Sequence, residues 1–384
     1  MKKLLSVLTV ICIILTTSIT ALGAEAPDAE KVKAQINGAV EFITQDVAAY
    51  KVDDASTFYM LTGSGANVDK YADGFLNDVK ENLEKNNGKI VPSYGESIAT
   101  YGAVILILND LGANPSDFYG YNIEEMLLSM DPTVPLTNPN YYRAVTKALA
   151  ICESDDAMAF LEKVCDTYID NYYTMGKGVD YYGYSCDNTA YFLSALSAAR
   201  MFTDKYDAVA DDALSVIDTY KTDGGYCFDP QYGTQASANS TALALMAHCD
   251  YILSSSDVNG VYCCNPDDIY NELCAFEGSK TGIFTYDGDD DAYTTKEAMN
   301  ALVSYKDLLI SLSADNDNDN AQEETTVTET TTDSNTTTTT AASSSGTNKS
   351  DKSPATGADT AAVCAASALA FAAAAIVVIK KKSK

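Results

Sequence analysis

The chain has 384 residues and a formal net charge of −29, from 54 acidic and 25 basic side chains. A surface this acidic repels phosphate backbones, so the composition argues against nucleic-acid binding and favours solubility outside the cell. The length is sufficient to build one large hydrophobic core.

The first 24 residues have the layout of a cleaved export signal. Lys2 and Lys3 precede an apolar run over residues 4–15, and small residues follow around Ala24. The run is too short to cross a bilayer comfortably, which makes an internal membrane span the weaker interpretation. The pattern predicts a signal peptide over residues 1–24 and an exported mature protein.

Residues 25–313 carry helical periodicity, with caps and breakers at several segment ends. The twelve predicted helices are 30–50, 54–63, 67–86, 95–112, 121–130, 139–152, 155–173, 187–202, 205–221, 237–254, 265–276 and 293–312. Odd-numbered helices carry more charge, whereas even-numbered helices are rich in Ala, Leu and Tyr. Amphipathic helices belong outside a fold and nearly apolar helices inside, so the alternation predicts six outer and six inner helices.

A repeated sequence accompanies the inner helices. The pattern Thr-Ala, four other residues and then Ala begins at Thr189 and Thr241, and a looser copy begins at Thr295. Two fainter copies begin at Tyr142 and Ser97, so the five starts are 45, 47, 52 and 54 residues apart. This period suits one helical hairpin plus its loops and indicates a repeat protein.

These repeats resemble the prenyltransferase and squalene-cyclase (terpenoid cyclase) repeat family over roughly residues 41–313. The Gly-Gly-Tyr turn at 224–226 and the Asn-Ser-Thr-Ala-Leu entry at 239–243 add to the resemblance. It implies an all-α fold, an α6/α6 toroid of alternating inner and outer helices. It also implies a central cavity, with the loops before the inner helices at its mouth.

The same resemblance raises a cyclase acid as a candidate. Class II terpene cyclases protonate an alkene with the middle Asp of an Asp-x-Asp-Asp motif just before a Thr-Ala helix start. Asp187 keeps that middle position, but Ser185 and Asn188 replace its partners. The complete Asp-x-Asp-Asp motif occurs at residues 287–290, which include Asp289. It lies several residues further before the repeat start at Thr295 than the family's motif lies before its helix start. An acidic loop, either open to solvent or holding a hard cation, is the preferred interpretation of that segment, and its spacing does not match an EF-hand.

No cofactor or metal site is predicted. Zinc in the protein prenyltransferases is held by Asp, Cys and His, but His248, Cys249 and Asp250 are adjacent on one helix and point in different directions. His248 is therefore interpreted as packing. Relatives that bind corrinoids usually add a β-rich domain, for which the sequence after residue 313 offers no candidate.

The sequence leaves open whether the eight cysteines between the signal peptide and the sorting signal form disulfides or are free thiols. Export permits disulfides, but their irregular spacing favours buried free thiols. These cysteines are at positions 152, 165, 186, 227, 249, 263, 264 and 274.

Aromatic residues cluster before the inner helices, in loops that converge on one rim of a toroid. Tyrosine occurs 26 times and tryptophan not at all. An aromatic, hydroxyl-bearing rim suits a flat or hydrophobic ligand, whereas packing between repeats is the structural alternative. The predicted ligand-binding residues are Tyr182, Tyr184, Asp187, Tyr226, Phe228, Tyr286 and Asp289.

After residue 313 the composition changes. Residues 314–352 are acidic and rich in Thr and Ser, which predicts a disordered spacer or stalk. Residues 353–384 then resemble a sortase-processed cell-wall sorting signal: a Pro-containing pentapeptide ends in Thr356 and Gly357, and an apolar run over 361–379 precedes terminal lysines. Ser353 stands where that motif usually has Leu. The interpretation implies cleavage between Thr356 and Gly357 by a sortase and attachment to peptidoglycan on a Gram-positive wall. A simple transmembrane anchor is the alternative.

Three functions follow from the sequence. The first is a noncatalytic, surface-anchored module that binds a ligand at the rim. The second is a cyclase-like enzyme that uses Asp187 or Asp289 as its acid. The third is a carbohydrate-active toroid, since that fold also hosts glycoside hydrolases and lyases; the missing Trp and the lack of an evident acid pair rank it last.

Overall fold

A computed structural model of the chain describes residues 29–152, 154–255 and 265–324. Within them the twelve predicted helices are confirmed. They are α1 Ala29–Thr44, α2 Ala55–Thr62, α3 Asp69–Lys85, α4 Ile98–Asp110, α5 Ile123–Leu128, α6 Tyr142–Cys152, α7 Asp155–Tyr172, α8 Cys186–Arg200, α9 Asp207–Asp218, α10 Ala238–Ser254, α11 Pro266–Cys274 and α12 Ala292–Glu324.

Short elements that were not predicted connect the helices. Single 3₁₀ turns cover Val52–Asp54, Pro115–Asp117 and Pro139–Tyr141. Three antiparallel hairpins pair β1 Tyr173–Thr174 with β2 Gly178–Val179, β3 Lys221–Thr222 with β4 Gly225–Tyr226, and β5 Thr285–Tyr286 with β6 Asp289–Asp290. Each hairpin directly precedes an even-numbered helix, so it holds the approach to that helix.

The two classes of helix differ in burial as their sequences predict. In α3 the fully buried residues form a single stripe, Tyr71, Phe75, Val79 and Leu83. In α8 every residue except Asp187 is buried. A helix buried on all sides must lie inside the fold, whereas a helix with one apolar stripe covers its outside.

Consecutive even-numbered helices pack against one another from α2 to α12, and α1 packs against α12. Gln35 of α1 also accepts a hydrogen bond from Tyr270 of α11 at 2.9 Å. Lys306 of α12 donates to the Ser64 carbonyl, just after α2, at 3.3 Å. The beginning and the end of the helical array are therefore joined.

Every repeat uses a side-chain hydroxyl to hold the chain that enters its inner helix. The hydroxyl oxygen of Thr189 accepts a hydrogen bond from the backbone N–H of Val179. The equivalent pairs are Tyr101 with Ile90, Tyr142 with Leu136, Thr241 with Tyr226 and Thr295 with Phe284, at 2.9–3.1 Å. These bonds satisfy buried backbone donors, which explains the repeated Thr.

The hydroxyl pattern also corrects the first repeat start. Tyr101, not Ser97, is the equivalent of Thr189. Ser97 instead caps α4, accepting a hydrogen bond from Ala99, as Ser185 caps α8. Residues four apart lie on the same helix face, so an alignment by sequence alone slips easily by one turn.

The Gly-Gly-Tyr turn requires its second glycine more than its first. Gly225 has φ 144°, and a Cβ there would overlap the Oγ1 of Thr241; Gly224 has φ 82° and open space around it. We expect Gly225→Ala to lower the free energy of unfolding by more than about 2 kcal/mol, because strain and overlap add. Gly224→Ala, which adds strain alone, should cost about 1 kcal/mol. Urea unfolding of both variants measures the difference, and equal costs would contradict the close approach.

The last helix departs from its predicted boundary. It continues to Glu324, so residues 314–324 of the predicted disordered spacer are helical. This segment has no Gly or Pro to stop a helix.

The predicted signal peptide (1–24), the rest of the spacer and the sorting signal lie outside the described residues. No helix within the described residues is long and apolar enough to cross a bilayer.

Candidate functional site

Arg143 lies at the centre of the inner helices. Its Nε donates to Ser194 Oγ at 2.6 Å and its Nη1 to Asn300 Oδ1 at 3.0 Å. Its Nη2 lies 3.5 Å from Asp250 Oδ2, and it also hydrogen-bonds Tyr59. These partners come from α8, α12, α10 and α2, while Arg143 belongs to α6. Five inner helices therefore meet at one guanidinium, which is only 3% exposed.

A second cation completes this ion cluster. Lys147, one turn after Arg143, lies 3.6 Å from Asp250, and Ser194 donates a short hydrogen bond to the same carboxylate. Burial by itself would raise the pKa of Asp250, but Lys147 and Arg143 outweigh burial and hold that pKa below its usual value. We call Arg143, Lys147, Ser194, Asp250 and Asn300 the ion cluster.

Two further carboxyl groups lie nearer to the ends where the inner helices begin. Asp187, at the start of α8, is partly buried, and its Oδ1 is buried without a hydrogen-bond partner among the described residues. Glu297 of α12 is 2% exposed and accepts a short hydrogen bond from Tyr191 of α8. We call Asp187, Tyr191, Tyr293 and Glu297 the acidic group.

The protonation of Asp187 is unusual. Burial raises its pKa to about 6; a hydrogen bond with Ser240 opposes this, and the negative charge of Glu297 adds to it. A carboxyl group with a pKa near 6 can hold a proton in near-neutral solution and release it to a substrate. Asp187 is thus chemically suited to act as a general acid.

Tyrosines surround the approach to the acidic group. Tyr293 is 58% exposed, and its pKa is raised by burial of its hydroxyl and then by the charges of Glu297 and Asp187. The phenol of Tyr141 also contributes to the raised pKa values of Tyr293, Tyr94 and Tyr181. Tyr94, Tyr141 and Tyr293 have exposed side chains, whereas Tyr181 is half-buried.

Some of the predicted rim residues are exposed in the structure and others are buried. Tyr226 is fully buried and hydrogen-bonds Asp218, so it supports its hairpin and is inaccessible to a rim ligand. Tyr182 and Tyr286 are exposed, at 92% and 61%, and Tyr184 is partly buried beside Lys177. Phe228 is also exposed, and its carbonyl accepts the N–H of Cys186 at the start of α8.

The second cyclase candidate, Asp289, lies on exposed strand β6. It lines a shallow surface depression of about 550 Å³ together with Glu277, Gly278, Ser279, Thr285, Gly288 and Asp290. This depression shares no residue with the acidic group. A solvated carboxylate lacks the dry surroundings that a cyclase acid needs, so Asp289 is not supported as that acid.

The remaining candidates have structural contacts. His248 is 1% exposed, and its Nε2 lies 3.0 Å from Asp218, consistent with packing. The six cysteines at 152, 165, 186, 227, 249 and 274 are free thiols; positions 263 and 264 lie outside the described residues. No group of three or more metal-binding side chains occurs in the described part of the chain.

Sequence reasoning missed Arg143, Lys147, Tyr191 and Glu297. A signal was present for three of them. Arg143, Lys147 and Glu297 place charges in otherwise apolar inner helices, where burial of an unpaired charge is costly. A charge in such a helix indicates a partner on a neighbouring helix. The sequence does not identify the partner, because the helix orientations decide it.

The raised pKa of Asp187 predicts a pH-dependent stability. Its folded pKa of about 6 exceeds the roughly 3.9 of an unfolded Asp, so the folded state binds more protons between these values. This group therefore lowers the free energy of unfolding as pH rises from about 4 to about 6. Asp187→Asn should lose less stability over that interval than the wild type. Urea midpoints at several pH values measure this, and parallel curves would contradict it.

Comparisons with known proteins identify a shared fold. No protein-family model and no curated protein matches the sequence. The solved structure of a polysaccharide lyase superposes with a TM-score of 0.52 and 13% sequence identity, over 74% of this chain and 98% of the lyase. At this identity the likeness shows the fold alone. It is a helix-rich fold.

Proposed function

We propose that the twelve helices form an α6/α6 toroid and that the protein acts on a polysaccharide by general acid catalysis. The observation that carries this proposal is Asp187, a near-neutral acid with an unpartnered oxygen beside the carboxylate of Glu297. A pair of carboxyl groups, one of them with a raised pKa, is typical of glycoside-bond cleavage. The structural likeness to a polysaccharide lyase supports the substrate class.

In this mechanism Asp187 donates its proton to the glycosidic oxygen as the bond to the sugar carbon breaks, and a water molecule then bonds to that carbon and returns a proton to Asp187. Glu297, held by Tyr191, supplies the second carboxylate that stabilises the positive charge developing on the sugar ring. Tyr94, Tyr141 and Tyr293 offer rings and hydroxyls for orienting the sugars, which suits a polar ligand. The ion cluster holds the inner helices at fixed positions beneath the reacting groups.

The polar centre argues against terpene cyclisation. A polyene needs an apolar cavity in which to fold, whereas Arg143, Lys147 and Asp250 lie buried between the inner helices, and Glu297 is buried nearer to their starts. An apolar substrate packed against these groups would remove their remaining contact with water and would offer no hydrogen bonds in its place. The cyclase alternative therefore rests only on the position of Asp187 in the sequence.

The test is a panel of purified polysaccharides incubated with the protein, with products separated by size. Hydrolysis yields a new reducing end, and elimination yields an unsaturated product detected by ultraviolet absorbance. Chain shortening that disappears in Asp187→Asn would support the proposal. Absence of shortening across the panel, with the protein folded, would overturn it.

A noncatalytic ligand-binding module is the second candidate. The observation that favours it is that the buried polar side chains at the centre already bond one another. Tyr191 donates to Glu297, and the members of the ion cluster hydrogen-bond among themselves. Exposed Tyr182, Phe228 and Tyr286 would then contact the ligand. Binding of a polysaccharide without any shortening, weakened by Tyr182→Ala, would favour this candidate.

For localisation we propose export and display on a cell wall after sortase cleavage between Thr356 and Gly357. The order of charged, apolar and Pro-containing segments at the two termini supports this placement. Wall digestion should release the protein without its terminal lysines. Recovery by detergent alone, with Lys384 present, would favour the simple membrane anchor.

A further inference from the structure

We propose that two aromatic pairs at the surface, Tyr181 with Tyr182 and Phe228 with Tyr232, stack against the sugar rings of a polysaccharide chain. We call these four residues the aromatic platform. The proposal rests on the polysaccharide function above and names side chains that hold its substrate. Tyr181 and Tyr232 were not among the predicted ligand-binding residues.

Each pair has one ring that is almost fully exposed. The ring centroids of Tyr181 and Tyr182 lie 4.6 Å apart, and those of Phe228 and Tyr232 lie 6.5 Å apart. Tyr182 is 92% exposed and Tyr232 is 81% exposed, more than any other large hydrophobic side chain in the described part of the chain. Exposed apolar groups that occur together, rather than singly, are typical of binding surfaces.

Both pairs are attached to the first turn of α8. Asn188 Nδ2 donates to the Tyr181 carbonyl at 3.1 Å, and the Cys186 N–H donates to the Phe228 carbonyl at 2.9 Å. Cys186 and Asn188 are the chain neighbours of Asp187, so the backbones of the two pairs lie within about 15 Å of each other. A polysaccharide several sugars long can therefore contact both pairs where it passes Asp187.

The backbone of Tyr182 has a conformation that its own packing does not explain. Its φ is 56°, which a bulky residue rarely adopts and which glycine adopts without steric cost. The turn holds it there, because Gly183 N–H donates to Asp180 at 3.2 Å and Tyr181 N–H donates to the Gly183 carbonyl at 3.3 Å. Strained residues of this kind cluster at ligand-binding sites. The strain presents a ring to solvent, where a ligand can cover it.

The chemistry of the platform suits a sugar better than a protein partner. One face of a pyranose ring exposes C–H groups with partial positive charge, which attract the negative face of an aromatic ring. The two turns, 180–184 and 228–233, contain only aromatic residues, Asp, Gln, Gly and Pro. Asp and Gln can hydrogen-bond the hydroxyl groups at a sugar edge. Protein interfaces combine aromatic residues with Met and Arg, which both turns lack.

Calorimetry tests the platform with hexasaccharides and disaccharides from cellulose, xylan, mannan and polygalacturonate. A hexasaccharide that binds should do so at least about tenfold more tightly than its disaccharide, since only the longer chain reaches both pairs. Tyr182→Gly and Tyr232→Ala should each weaken hexasaccharide binding by about fivefold or more, whereas Tyr182→Phe, which keeps the ring, should change it by less than about twofold. An equal loss in the Phe and Gly variants would overturn the stacking role.

Tyr119→Gly is the matched control. Tyr119 has φ 53° and precedes a glycine, as Tyr182 does, but its ring packs on Phe118 at 4.8 Å and belongs to neither turn. Only Tyr182→Gly should weaken binding. Because that change also relieves backbone strain, its urea midpoint should not fall, which separates a loss of binding from a loss of folding.

The outcomes distinguish the platform from the proposed function. Unchanged binding in Tyr182→Gly and Tyr232→Ala would overturn the platform and leave the proposed function standing. Failure of every oligosaccharide to bind the wild type would overturn both. Sedimentation of the wild type tests a second copy of the chain as the occupant, and a dimer that Tyr232→Ala dissociates would assign the surface to self-association and overturn the inference.

Discussion

Asp187→Asn should reduce the rate of polysaccharide cleavage by about 100-fold or more, the usual contribution of a positioned general acid. Asparagine keeps the size of the side chain but has no acidic proton to donate. The pKa of about 6 also predicts that wild-type activity falls as pH rises above about 6, because the acid is then deprotonated. Initial rates across a pH series measure both effects.

Asp289→Asn is the matched control, since it removes a carboxylate from an exposed hairpin strand that shares no residue with the acidic group. Its rate and pH profile should equal those of the wild type. Full activity of Asp187→Asn would show that the acid lies elsewhere. Loss of activity in Asp289→Asn would indicate that the catalytic site is the surface depression that Asp289 lines.

Arg143→Met should lower the free energy of unfolding by about 3 kcal/mol or more. Removing one partner of a buried ion pair leaves the other uncompensated, and the loss also leaves Ser194 and Asn300 without a donor. Lys147 remains beside Asp250 and limits the cost. Denaturant unfolding followed by circular dichroism measures the change.

Lys80→Met provides the comparison, because Lys80 pairs with Glu84 at 3.7 Å on the exposed face of α3. Such surface pairs contribute about 0.5 kcal/mol or less. A cost below about 1 kcal/mol for Arg143→Met would mean that the ion cluster does not hold the inner helices together.

The helices were predictable because their signals are local. Caps such as Ser154 before α7 and Asn265 before α11 act within three residues, and apolar periodicity is read within one segment. The ends of α1 and α12 were predicted less well, at 50 instead of Thr44 and at 312 instead of Glu324. No Gly or Pro marks either end, so the sequence has no strong stop signal there.

The candidate site was predicted only in part. Asp187 was identified from its position before a repeated Thr-Ala start, whereas Tyr226 was placed on a rim although it is buried. A tyrosine in a loop can point toward solvent or into the core, and the turn conformation at Gly224 and Gly225 decides which.

The sequence by itself determined the twelve helices, their alternation between charged and apolar types, and a repeat at five of the even-numbered helices, whose first start is Tyr101 and not the predicted Ser97. These properties depend on neighbouring residues along the chain. Tertiary structure alone decided that Arg143 meets Asp250 and Asn300, and that Asp187 lies beside Glu297. Those partners are roughly a hundred residues or more apart, and only the packing of the inner helices brings their side chains together.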